Sequence, residues 1–173
     1  MAESLARMLT GGAPAVAEMF ERFGVDVVAG CRAVCLGWDE IERVAADPLA
    51  TIAAHTASHP VLARLDAAEA ERELAAGRDR IAEVTGARPM HLAYPHGGPD
   101  AAGTREFAMA ARLGFRSAVT TRPGLLFAEH RRHMTALPRI SVSGRFQRLR
   151  YLEVLLGGAP TAMLNGFRRV NAA

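Results

Sequence analysis

His55 and His59 stand four residues apart in the segment His55-Thr56-Ala57-Ser58-His59-Pro60. Neutral imidazole is the commonest protein ligand for zinc and similar ions, and two of them at the end of a strand can converge on one divalent ion. Spacing alone leaves the pair open between a metal site and two polar residues of a loop. A zinc-protease arrangement is excluded. It needs a glutamate directly after the first histidine, on a helix, as general base, whereas Thr56 stands there and Pro60 ends any helix. A second polar concentration is the turn Tyr94-Pro95-His96-Gly97-Gly98, with His91 just before it; His91 and His96 are candidates to line a groove. His130 and His133 lie beside Arg131 and Arg132 in what reads as a solvated charged loop. Cys31 and Cys35 are the only cysteines. They are too few for a four-cysteine zinc site or a disulfide framework, and read as buried thiols.

The elements that must position these groups change character along the chain. Residues 1–47 read as a helical lead-in. A first stretch over 3–9 is broken by Gly11-Gly12, and Pro14 then sits at the first turn of a helix reaching Phe23. Asp26 caps the next helix, and Trp38 opens another that ends before Pro48. Residues 50–54 form a short apolar run that suits a buried strand leading into His55. Asp66 with Glu69 resembles a capping box for a helix carrying Leu74, Ile81 and Val84 on one face, stopped by Gly86. Further strands are expected over 91–94, 115–120 and 140–142. Asp100 or Thr104 is expected to cap a helix bearing Phe107 and Ala111. The last helix is expected over 146–156, with Phe146, Leu149 and Leu152 inward and Arg145, Arg148 and Tyr151 toward solvent. Strands alternating with helices predict an α/β domain with a mainly parallel sheet or barrel. Such folds carry their functional groups at the C-terminal ends of strands.

Length and composition agree with one domain. The chain has 173 residues, of which 50% are hydrophobic and 23% charged, so it can bury a core without staples. All 21 basic side chains are arginine, which removes Schiff-base lysine chemistry and any phosphate loop ending in Gly-Lys. The net charge of +3 is spread along the chain apart from Arg145, Arg148 and Arg150 and the pair Arg168-Arg169, and it belongs to no recognisable nucleic-acid module, so no nucleic-acid partner is expected. No apolar run approaches a membrane span, and no export signal is evident, which makes a cytoplasmic location the expectation.

Several motifs follow one another in a fixed order: Trp38-Asp-Glu-Ile, His55-Thr-Ala-Ser-His-Pro, Thr85-Gly-Ala-Arg-Pro, Leu92-Ala-Tyr-Pro-His-Gly, Gly114-Phe-Arg-Ser-Ala-Val-Thr-Thr and Leu137-Pro-Arg-Ile. Together they resemble the polysaccharide deacetylase family, the NodB-homology or carbohydrate esterase 4 group, from about Trp38 to about residue 155. The resemblance implies a partial or distorted (β/α) barrel behind a helical N-terminal segment, with the NodB-like core over 48–160 and a tail over 161–173. It implies metal-dependent hydrolysis of acetyl groups on N-acetylated or O-acetylated oligo- or polysaccharides. His55 and His59 would be ligands of a divalent metal, zinc foremost, with Thr56 supporting them from behind. Tyr94, Pro95 and Gly97 would shape the substrate groove, and the His96 N–H would donate to the oxyanion. Arg139 falls where many members carry a general-acid histidine; it cannot give up a proton near neutral pH but can stabilise negative charge. Ala93 stands where many members place an arginine that orients the base. The family's Thr-Phe-Asp-Asp-Gly motif, source of the general base and a third metal ligand, has no counterpart, because the chain contains no adjacent aspartate pair. A sheet lacking its first barrel strands would expose an edge and favour self-association.

Overall fold

The structure, a computed structural model, describes residues 14–144 and 148–171; the expected helix over 3–9 and the side chains of Arg145 and Phe146 lie outside them. Among the described residues three short helices come first, α1 (Pro14–Arg22), α2 (Val27–Val34) and α3 (Trp38–Ala45). Asp26 caps α2 by accepting the Ala29 N–H at 2.8 Å, as its type predicts. Cys31 is buried and Cys35 half-buried, both as free thiols. None of the described helices is long and apolar enough to cross a membrane.

The sheet and its two flanking helices make the core. Strands β1 (His91–Ala93), β2 (Ser117–Pro123) and β3 (Leu137–Arg139) lie in the order β1-β2-β3, all parallel, with Leu92 opposite Ala118 and Val119 opposite Leu137. Helix α4 (Ala67–Thr85) precedes β1 and α5 (Thr104–Arg112) precedes β2, the βαβ connection that parallel pairing requires. Asp66 accepts the Glu69 N–H at 2.8 Å to start α4, and Gly86 ends it in the left-handed region at φ 70°. Ala70, Leu74, Gly77 and Arg78 form the buried face of α4, at the i, i+4, i+7, i+8 spacing of an inward stripe. Leu74, Leu92, Tyr94, Phe107, Met109 and Phe115 pack with small alanines into one cluster. Arg78 is tolerated inside because its guanidinium donates to the Leu113 carbonyl and to Asp79, both at 2.8 Å.

Several local expectations need correction. The run over 50–54 is no strand: only Ala54 joins the sheet, by a parallel bridge to Leu92. The three residues of β1 offer just the His91 carbonyl and the Ala93 N–H on that side, and both are taken by Ala54 at 2.9 Å. Strand β2 starts later than expected because the Phe115 N–H is held by Ala110 of α5, and it runs on to Pro123. The strand expected over 140–142 lies instead at Leu137–Arg139, where Pro138 is accommodated on an edge strand. Neither Asp100 nor Thr104 caps α5. Gly103 holds the cap position, and the buried Glu106 carboxylate accepts its N–H at 2.7 Å. His130 is not in a solvated loop: it is 3% exposed, on a 3-10 turn at Ala128–Arg132, with Nδ1 accepting the Phe127 N–H. The last expected helix begins at Leu149 as α6 (Leu149–Leu156), with a short α7 (Ala159–Leu164) after it. Leu149 is 71% exposed rather than inward.

Leu92 sits on β1 between Ala54 and Ala118 and is 2% exposed. Replacing it with alanine removes three carbons where β2 on one side and Ala54 on the other limit collapse. Leu92→Ala is expected to lower unfolding free energy by about 2–5 kcal/mol, read from urea denaturation; a loss below about 1 kcal/mol would mean that β1 is not packed as described.

Candidate functional site

Because every strand is parallel, their carboxyl ends share one edge of the sheet, and ligands of open α/β sheets bind at that edge. Ala54 is the last residue in register before His55, and Tyr94-Pro95-His96-Gly97 leaves the same end of β1. The Nδ1 of His55 lies 2.7 Å from the Ala93 carbonyl. A carbonyl can only accept, so Nδ1 carries the hydrogen and Nε2 keeps its lone pair. Metal-ligating imidazoles are oriented in this way.

The loop from His55 to His59 is held tightly. Thr56 and His59 adopt left-handed backbone at φ 63° and φ 58°, and across from them His96 does so at φ 60°. Such residues store on the order of 1–3 kcal/mol each and persist only where the surroundings over-determine them. Three restraints do so here. The Thr56 hydroxyl accepts the His59 N–H at 3.1 Å. Glu73 of α4 accepts the Ala57 N–H at 3.1 Å, the Ser58 N–H at 2.9 Å and the Ser58 hydroxyl at 2.8 Å. Gly77, one turn further along α4, lets the helix touch the loop backbone: a Cβ there would fall 2.4 Å from the Thr56 carbonyl carbon and oxygen. Glu73 and Gly77 are the positioning residues that sequence reasoning missed. One signal was present, since a lone glycine inside a 19-residue helix costs about 1 kcal/mol relative to alanine and marks a close approach.

The facing turn is fixed from β2. The Thr121 hydroxyl donates to the His96 carbonyl at 2.6 Å and the Thr121 N–H to the Gly97 carbonyl at 2.9 Å. Arg139, exposed at the end of β3, donates from Nε to the Thr120 carbonyl at 2.8 Å, so it grips the same peptide unit that holds Gly97. The two loops bring three imidazoles into contact: His55 to His59 and His59 to His96 each at 4.8 Å between ring centroids, edge to face. Burial first, and then the neighbouring His55 and His96, hold the His59 pKa below its ordinary value. A tautomer-pinned imidazole beside a second one held toward its neutral form is a donor pair that fits a borderline divalent ion such as zinc. The rings abut, yet among the described residues no group of three His, Cys, Asp or Glu side chains is already gathered to hold a metal ion. Ring contact measures reach, whereas ligation needs lone pairs that converge.

Other expected site residues fall elsewhere. Tyr94 is 1% exposed and donates its hydroxyl to the Thr135 carbonyl at 2.8 Å; burial first, and Glu106 second, push its phenol pKa well above the usual value. Its ring is therefore core, not a groove wall. Pro95 and Gly97 are buried too, so His96 alone of that turn reaches the surface. His91 opens β1 at the opposite edge, with Nδ1 2.7 Å from the Ser117 hydroxyl, and does not join the cluster.

The polysaccharide deacetylase family model matches residues 11–118, a span that includes the three clustered histidines. Among solved structures, the Streptococcus pyogenes deacetylase PplD in complex with acetate is similar at a TM-score of 0.52 and 24% identity, over 58% of this chain. The matched region is 42% of that protein's length. At this identity the likeness speaks for the fold. No curated protein matches.

Removing the Glu73 carboxylate leaves two amides and a hydroxyl without their acceptor. Glu73→Ala is expected to speed hydrogen exchange at Ala57 and Ser58 and to cost about 1–3 kcal/mol; unchanged protection at both amides would show that the helix does not clamp the loop. His59 also predicts a pH dependence. Its pKa is lower folded than the ordinary 6.5, so below that pH the unfolded chain takes up the proton more readily. The contribution to stability is complete above pH about 6.5 and is lost as pH falls toward the folded pKa, a slope that urea unfolding should lose in His59→Asn.

Proposed function

We propose that this chain, which belongs to the polysaccharide deacetylase family, acts as a metal-dependent hydrolase that removes acetyl groups from N-acetylated or O-acetylated glycans. The observation that carries the reading is the His55–His59 contact at the carboxyl edge of a parallel sheet, with His55 pinned through Nδ1 so that Nε2 is free. In the reaction water adds to the acetyl carbonyl, the bond from that carbon to the sugar nitrogen or oxygen breaks, and acetate and an amine or hydroxyl result. His55 and His59 would hold the ion. When bound, a divalent ion supplies Lewis-acid polarisation of the carbonyl and makes water acidic enough to serve as nucleophile near neutral pH. The His96 N–H makes no hydrogen bond to the described residues and offers a donor for the developing oxyanion. Arg139 adds a fixed positive charge at the end of β3. Thr56 and Glu73 act through the loop, by keeping the two imidazoles turned toward each other.

A second reading has one observation in its favour. The chain has no adjacent aspartate pair, and the family's general base comes from such a pair, so a non-catalytic relative that binds a glycan or a protein partner at this edge is the alternative. One assay separates the two. Purified chain supplied with zinc is expected to release acetate from an N-acetylated chitooligosaccharide, and His55→Ala and His59→Ala are expected to fall to background. Wild-type protein that releases no acetate while still binding the oligosaccharide would favour the second reading.

A further inference from the structure

We propose that the helical pair α6 and α7 is a docking face for an anionic lipid surface, which it touches without crossing. Its first support is that the pair is apolar on the outside. Helix α7 turns Thr161 inward, buried with its hydroxyl donating to the Gly158 carbonyl at 3.0 Å. Met163 and Leu164 of the same helix, and Phe167 just beyond it, are 72%, 74% and 79% exposed. A helix that serves only to cover a core shows the reverse order. Helix α6 packs on α7 yet buries none of its own residues, and its Leu149, Val154 and Leu156 are exposed as well. Apolar side chains gathered this densely on a surface mark a place where something else docks. The pair is tied to the sheet: Asn165 Nδ2 donates to the Pro123 carbonyl at 2.8 Å, which hangs α7 from the carboxyl end of β2. Phe167 itself stands at φ 61°, where a bulky residue is strained, with its N–H held by the Ala162 carbonyl at 2.7 Å.

Charge selects the occupant. Arg148, Arg150, Arg168 and Arg169 are exposed among these apolar groups, and the one acid over 148–171 is Glu153. That surplus equals the net charge of +3 of the whole chain, so the residues before 148 are balanced and the excess lies entirely here. Arg169 is shared with Glu129 at 3.3 Å. A second copy of the chain would set this positive face against itself. An anionic lipid surface brings the opposite sign. It also receives scattered, protruding side chains without needing a matching groove: leucine, methionine and phenylalanine enter the acyl boundary while arginine stems lie along it and keep the guanidinium among the headgroups. None of the described helices is long and apolar enough to cross a membrane, so the contact is with the surface.

The test floats the whole chain with phosphatidylcholine vesicles, with and without about 30% phosphatidylserine. Wild type is compared with the double variant Met163→Ser, Leu164→Ser, with the triple variant Arg148→Gln, Arg150→Gln, Arg168→Gln, and with Leu49→Ser, which removes an exposed leucine outside the pair. The substituted side chains are exposed, and circular dichroism with Tm checks that each variant keeps the fold. Wild type and Leu49→Ser are expected to float with the phosphatidylserine vesicles and to be released by salt. The double and triple variants are each expected to bind at least about tenfold more weakly. Equal binding to phosphatidylcholine alone, unchanged binding in the triple variant, or equal loss in Leu49→Ser would overturn the inference. Wild type that ignores phosphatidylserine vesicles also overturns it. In that case sedimentation showing a dimer that the double variant abolishes assigns the face to a second copy, and retention on polyglutamate that the triple variant abolishes assigns it to an acidic protein.

Discussion

Two backbone hydrogen bonds and one side-chain bond act as a single zip at the edge of β1. The Ala54 N–H donates to His91, the Ala93 N–H donates to Ala54, and His55 Nδ1 then meets the Ala93 carbonyl at 2.7 Å. The first two bonds fix where the chain leaves the sheet. The third fixes the tautomer and orientation of the first histidine. Because Ala54 is the only residue of its run that pairs, the site depends on a contact one residue wide, and the remaining restraint has to come from elsewhere.

It comes from α4 and from β2. Three left-handed, non-glycine residues at the site would together store several kcal/mol. Hydrogen bonds to a charged group contribute about 1.5–3 kcal/mol each, and Glu73 makes three of them to the loop. The scales are comparable, which explains how strain can persist on an exposed loop beside a three-stranded sheet. Gly77 sets the reach: with any side chain there, α4 could not come close enough for Glu73 to act. On the other side, Thr121 and Arg139 hold the His96 turn through a shared peptide unit. Each imidazole is thus positioned by a different element, and the cluster exists only while helix and sheet are docked.

Family membership and site chemistry meet at one discrepancy. The fold, the order of motifs and the clustered histidines belong together, and the adjacent aspartates do not occur. Imidazoles can bind an ion, but they hold neutral lone pairs where a carboxylate would bring negative charge.

The sequence by itself determined the helix caps of α2 and α4, the family and the spacing of the two central histidines. Helix α2 was legible from Asp26 and α4 from Asp66 and Gly86, because caps act within one turn of the chain. His55 and His59 were legible because their spacing is local. What only the tertiary structure decided is everything that depends on a partner distant in sequence. The apolar run over 50–54 has the composition of a strand, but pairing was limited by the three-residue length of β1. Tyr94 looked like a groove wall and is core, since its hydroxyl finds Thr135, 41 residues away. His130 looked solvated and is buried. Glu73 reads as one more acid on a charged helix until its helix docks against the loop. His96 became a neighbour of His59 only when β1 and Ala54 paired. Local chemistry fixes which groups are available; docking of parallel strands and their crossover helix fixes which of them meet, because contacts across that distance leave little signature in the chain beyond a lone glycine such as Gly77.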